Sequence, residues 1–138
     1  MLSRLLDIAR VTEVSAHCDL PCGVYDPAQA KIEAQSVKAI IEKYNASDDD
    51  AFKARAILIK EERSDLVKHH LWVLWTDYFK PPHFEKYPQL NELFNKTTKL
   101  AGGGPGGTKS SFDVTVADEL LAGIDEIATI FWETKAAA

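Results

Sequence analysis

The places where this chain breaks restrict its fold most. Strong breakers stand at Asp26-Pro27, Asn45-Ala46-Ser47, Pro81-Pro82 and Gly102-Gly103-Gly104-Pro105-Gly106-Gly107, and apolar residues return at helical spacing between them. Asp26-Pro27-Ala28-Gln29 has the form of a helix start: an acceptor at the cap, proline at the first helical position and glutamine three residues after the cap. Ile32, Val37, Ile40, Ile41 and Tyr44 then mark one face. Asp48 to Asp50 supply caps and negative charge for a second helix, expected from about Ala51 to Tyr78. Phe52, Ala56, Ile59, Leu66 and Val73 would form its buried stripe, widened by Leu71, Leu74, Trp75 and Tyr78, and Pro81-Pro82 stops it. A third helix is expected from Pro88 to Leu100, turning Leu90, Leu93 and Phe94 inward, then a flexible glycine loop. The last runs from Asp113 or Thr115 to Lys135 on Val116, Leu120, Leu121, Ile124, Ile127, Ile130 and Phe131. No useful length shows the two-residue alternation of a sheet, so the pattern predicts an all-α fold, an antiparallel four-helix bundle.

The 138 residues fit one domain, and 46% hydrophobic with 27% charged content is that of a globular chain rather than a disordered one. A net charge of −5 argues against a general nucleic-acid binder. No apolar run approaches the roughly 20 residues needed to cross a bilayer, which argues against a membrane role. The 2 cysteines, Cys18 and Cys22, are too few for a disulfide scaffold and too close for a bridge to stabilise much, so their use is chemical. Residues 1–16 end in the small-residue spacing Val14-Ser15-Ala16, yet Asp7, Arg10 and Glu13 interrupt any apolar core. A secretory signal needs about 7–15 apolar residues, so export is not expected and a cytoplasmic place is. On its own the stretch reads as an ordinary short N-terminal helix, and only the segment after it favours a removable leader.

If the chain is cut before His17, the segment after the cut becomes a metal hook. His17 then offers an α-amine and an imidazole, and Cys18 a thiolate and its own backbone nitrogen. Amine with backbone nitrogen, and backbone nitrogen with thiolate, each close a five-membered chelate ring. Cys22 can fold back to the fourth corner, because Pro21 bends the hook and Gly23 frees the chain beyond it. Four planar donors, half nitrogen and half sulfur, suit nickel or copper better than tetrahedral zinc. The His17 imidazole could stand above that plane. Two thiolates and a deprotonated amide donate strongly and stabilise the higher oxidation state.

The continuous run His-Cys-Asp-Leu-Pro-Cys-Gly-Val-Tyr-Asp-Pro, from His17 to Pro27, resembles the nickel-binding hook of nickel superoxide dismutases. Lys68-His69-His70, the run from Asp77 to Pro88 and the run from Ile130 to Lys135 are similar to the same family, while the glycine loop diverges from it. The resemblance implies an enzyme that disproportionates superoxide to dioxygen and hydrogen peroxide through Ni(II)/Ni(III), with one nickel ion per subunit. It implies a precursor cut by a processing protease, with leader 1–16, domain 17–138 and hook 17–25. It also implies assembly of four-helix bundles as a homohexamer. On matching positions the ligands are His17, Cys18 and Cys22, with Glu33 and Arg63 orienting the His17 imidazole. Asp19, Tyr25 and Tyr78 line the substrate pocket, Tyr25 with a catalytic part, and Pro21 turns the hook through an expected cis bond.

Plainer readings stand beside these. By pattern alone Tyr25 and Tyr78 are core or interface aromatics, and Arg63 is a buried-stripe arginine paired with Glu33 or a snorkelling surface residue. His69 and His70 read as hydrogen-bonded structural residues, since the Glu-x-x-His of di-iron bundles is absent from the sequence. Lys80 and Lys86 would attract a small anion or simply be solvated. The competing functions are a nickel or copper carrier without turnover and a thiol–disulfide oxidoreductase. The last lacks its Cys-x-x-Cys and βαβ context.

Overall fold

The computed structural model describes residues 23–138. The leader, His17, Cys18, Asp19, Cys22 and the bond before Pro21 therefore lie outside the described residues. Five α-helices follow one another: α1 Ala28–Asn45, α2 Asp50–Val73, α3 Pro81–Lys86, α4 Leu90–Leu100 and α5 Val114–Ala136. There is no strand among the described residues. α1, α2, α4 and α5 make the four-helix bundle, in which α1 packs on α2 and α5, and α4 on α5. α1 and α5 run antiparallel, because Lys31 pairs with Asp125 and Lys38 with Asp118, both at 2.7 Å.

Local chemistry sets the helix ends. Asp26 Oδ1 accepts the Ala28 N–H at 2.8 Å, with Pro27 at the cap position of α1. Asp49 takes the N–H groups of Ala51 and Phe52 for α2, and Asp113 takes that of Thr115 for α5. The Thr115 N–H and hydroxyl hold the Asp113 carboxyl below the usual carboxylate range. α2 does not continue unchanged to its end. Leu74–Tyr78 form a π-helical turn in which Phe79 N–H reaches back to Leu74 O at 3.0 Å. This inserts one residue into the register just before Tyr78. Pro81 then opens α3 at a position where no N–H is missed.

Beside a small cluster of Val37, Ile41 and Ala117, the core is a larger apolar cluster in which Val67, Leu71, Leu90, Leu120, Ile124, Ile127 and Phe131 have no exposed surface. Each contributes about 1.5–3 kcal/mol of burial. Several expected positions differ. Phe52 at 38% exposure, Ile32 at 59% and Trp75 at 45% face outward. The buried stripe of α2 instead follows Ala56, Lys60, Ser64, Val67, Leu71 and Leu74. It is turned toward polar partners: Lys60 donates to the carbonyls of Lys109 and Ser111, at 3.0 and 2.7 Å, and Ser64 shares a 2.9 Å hydrogen bond with Thr108.

The glycine loop is a packed turn system rather than a flexible connector. Thr108 N–H bonds Leu100 O and Lys109 N–H bonds Gly102 O. A side chain on Gly107 would come within 2.2 Å of Gly102 O, so only glycine admits that approach.

Candidate metal centre and substrate cleft

The chain enters the described structure at one end of the bundle, in a cleft lined by Gly23, Tyr25, Asp77, Tyr78, Lys80 and His83 from one side and Thr134 and Lys135 from the other. Gly23, at the start of the described chain, has φ +72, a left-handed conformation that suits glycine.

Tyr78 is the centre of that wall. Its ring lies 4.2 Å from the Phe131 ring, 5.9 Å from that of Tyr25 and stacked at 5.8 Å on His83. Its hydroxyl is 2.8 Å from Thr134 Oγ1. The π-helical turn and the Lys80-Pro81-Pro82-His83 corner produce this arrangement. Lys80 N–H donates to His83 Nδ1 at 3.1 Å, and His83 N–H returns a bond to Lys80 O at 2.8 Å. A neutral His83 ring so held carries its hydrogen on Nε2. Lys80 and Lys135 supply positive charge to the cleft, whereas Lys86 lies over the Tyr87 ring at 5.3 Å.

The expected pair of Arg63 and Glu33 is present as geometry. Nη1 of Arg63 lies 3.3 and 3.1 Å from the two carboxylate oxygens, joining α2 to α1 with both side chains half-buried. Tyr25 and Tyr78 come together in the cleft. His69 and His70 stand edge to face at 5.6 Å, and His70 is buried. Among the described residues no three His, Cys, Asp or Glu side chains gather into a metal-binding group. The His17, Cys18 and Cys22 set, which lies outside the described residues, fits nickel by the chemistry of its donors.

Sequence reasoning did not single out Thr134, Lys135 or Asp77 as cleft residues. Thr134 stood within the family-like run from Ile130 to Lys135, one turn beyond Ile130 on the buried face of α5, with nothing to mark it as a cleft residue.

Comparison with known proteins gives a consistent result. Residues 12–135 match the family model described as nickel-containing superoxide dismutase. Superoxide dismutase [Ni] of Streptomyces coelicolor (strain ATCC BAA-471 / A3(2) / M145) is 57% identical over 137 residues, 99% of this chain and 100% of its own length. A solved native nickel superoxide dismutase is also 57% identical, with a TM-score of 0.82, covering 87% of this chain and 99% of its own. Solved variants are substituted at a tyrosine in ninth position, an aspartate in third and a histidine in first, with TM-scores of 0.82, 0.80 and 0.77. They are 56%, 56% and 54% identical and cover 87%, 84% and 81% of this chain and 99% of each of theirs. On this match, which spans nearly the whole chain, the protein belongs to the nickel-containing superoxide dismutase family.

Proposed function

We propose that this chain is a precursor whose processed form, beginning at His17, disproportionates superoxide to dioxygen and hydrogen peroxide at a nickel held by His17, Cys18 and Cys22. One observation carries the ligand assignment. The substituted histidine, aspartate and tyrosine of the solved relatives stand first, third and ninth, the spacing of His17, Asp19 and Tyr25 here. A chain numbered from that histidine leaves residues 1–16 outside, which supports a leader cut by a processing protease. Cys22 directly precedes Gly23 in sequence, and Gly23 lines the cleft with Tyr25 and Tyr78, which supports this cleft as the place where the hook acts.

Nickel with two thiolate, one amide and one amine donor supplies a one-electron couple between Ni(II) and Ni(III) at reachable potential. The chain's own residues do the rest. Lys80 and Lys135 draw the anion toward the cleft against the net charge of −5. Tyr25 and Tyr78 bound the space it enters, and the family resemblance assigns Asp19 to the same pocket. Arg63 holds the Glu33 carboxylate, which orients the His17 imidazole.

Assembly as a homohexamer is supported by large apolar side chains that one subunit leaves in water, among them Leu58 at 71% exposure and Trp132 at 51%. A cytoplasmic location is supported by the charged leader. No helix among the described residues is long and apolar enough to cross a membrane.

The test is to purify uncut and cut protein, load both with nickel, and measure superoxide removal. The cut form should turn over and show a Ni(III) EPR signal, and the uncut form should do neither. Equal activity in both would refute coordination by the His17 amine. Nickel binding by the cut form without turnover would favour the carrier.

A further inference from the structure

We infer that Thr134 is a positioning residue that fixes the hydrogen of the Tyr78 hydroxyl away from the cleft, so that Tyr78 meets the cleft only as a hydrogen-bond acceptor. The inference rests on the proposed site and concerns how one wall of it is polarised.

The argument is a count of hydrogens. Thr134 Oγ1 lies 2.7 Å from Phe131 O, and a carbonyl can only accept, so the single threonine hydrogen belongs to that contact. Thr134 Oγ1 also lies 2.8 Å from the Tyr78 hydroxyl. With the threonine hydrogen used, the hydrogen in this second contact must come from the phenol. The reverse assignment would leave two lone pairs facing each other at 2.7 Å and send the phenol hydrogen to Phe131 O at 3.4 Å, a poor contact. The chain of donation therefore runs from Tyr78 to Thr134 to Phe131 O.

The arrangement is also held in place. Thr134 is 5% exposed and β-branched on a helix, which restricts its rotamer. The Tyr78 ring is packed by Phe131, Phe79 and His83, so the hydroxyl cannot swing to another partner without moving the ring.

The consequence concerns charge. A phenol whose hydrogen is committed elsewhere offers only lone pairs, and lone pairs repel a superoxide anion. Donation to Thr134 also makes the phenol oxygen a better acceptor. Tyr78 therefore takes a neutral O–H group from the cleft, and attraction of the anion falls to Lys80 and Lys135.

The experiment uses the processed protein with Tyr78→Phe, Thr134→Val, Thr134→Ser and the double variant Tyr78→Phe/Thr134→Val. The first readout is the tyrosine doublet of the Raman spectrum, taken as the difference from Tyr78→Phe, with and without nickel. It should show a donating phenol in the wild type and in Thr134→Ser, and a weaker donor in Thr134→Val. This does not depend on turnover, so it stands even if the proposed function fails. The second readout is superoxide removal by the nickel-loaded proteins. Thr134→Val should raise kcat/KM in the Tyr78 background, because the freed hydroxyl can donate to the anion, change little in the Tyr78→Phe background, and revert to wild type in Thr134→Ser. An acceptor-only phenol in the wild type overturns the inference, as does a Thr134→Val change that is equal in both backgrounds. If Thr134→Val does not fold, the wild-type and Thr134→Ser spectra decide alone.

Discussion

Arg63 reaches from α2 to α1 and places a single nitrogen, Nη1, against both carboxylate oxygens of Glu33, at 3.3 and 3.1 Å. This is a bifurcated contact rather than a two-pronged fork, and the glutamate is the more enclosed partner, 17% exposed against 36%. The pair serves to hold one carboxylate in one place. A half-exposed ion pair of this kind contributes little to stability, so its removal should show in the site more than in the fold.

Glu33→Ala and Arg63→Ala are accordingly expected to keep their helix content while losing function. Loss of an outer partner of a metal ligand typically costs about 10–100-fold in metal affinity or activity. Nickel titration and superoxide removal on the processed variants, with circular dichroism as control, check this. Unfolding of either variant would assign the pair to the fold instead.

Cys18→Ser and Cys22→Ser should each abolish superoxide removal and weaken nickel binding. A serine hydroxyl is neither a soft donor nor deprotonated at neutral pH. The described core packs through the apolar cluster from Ala30 to Phe131, so the thermal midpoint of the nickel-free variants is expected to stay close to that of nickel-free wild type. Wild-type turnover in either variant would mean the ligands lie elsewhere.

The bundle was legible because proline, glycine and capping residues mark its joints and apolar spacing its faces. All four long helices of the bundle follow from those two signals. What escaped has a physical reason in each case. Lys60 and Ser64 occupy the buried stripe of α2 because the loop after α4 brings carbonyls and Thr108 to them, and periodicity reads polar residues as outward. Phe52 faces out because that stripe is rotated accordingly, and Ile32 faces out because α1 buries Ala30, Ala34, Val37 and Ile41 instead. The π-helical turn before Tyr78 leaves no sequence mark, yet it sets which residues of that stretch meet α5. The cleft's second wall, Thr134 and Lys135, lies far along the chain, and only the closing of the bundle brings it to Tyr78.

Gly123 sits inside α5, where glycine ordinarily costs helix stability, yet alanine should be worse. A Cβ there would lie 2.4 Å from Thr97 Oγ1 and 3.1 Å from its Cγ2, and Thr97 is buried and β-branched. Helix propensity favours alanine by about 1 kcal/mol. Overpacking against a stiff neighbour costs about 1–3 kcal/mol and wins. Gly123→Ala should lower the unfolding midpoint in a denaturant titration. The double variant Gly123→Ala/Thr97→Ala should recover part of the loss, because it removes both the hydroxyl and the methyl that the new Cβ meets.

Lys60 gives the last prediction, because it is a fully buried cation with carbonyls rather than a carboxylate as its partners. Its ammonium donates to Lys109 O and Ser111 O and lies 3.7 Å from the Phe112 ring centroid, tying α2 to the segment that leads into α5. Lys60→Met keeps most of the volume but leaves those carbonyls without this donor, a cost of about 1–3 kcal/mol for each one left unsatisfied. The variant should therefore be less stable at neutral pH. Burial lowers the pKa of Lys60, opposed by the nearby Glu61 charge. Below the folded value both states hold the proton and nothing changes with pH. Between the folded value and the ordinary lysine value only the unfolded chain holds it, so wild-type stability gains with rising pH across that alkaline window. Lys60→Met lacks this gain, whereas the exposed Lys38, whose pKa its Asp118 partner raises, acts alike in both proteins. Denaturant midpoints of the two proteins, followed from neutral to alkaline pH, should thus move further apart. Midpoints that converge as pH rises would show that Lys60 is stabilised as a cation, and that its carbonyl cage outweighs its burial.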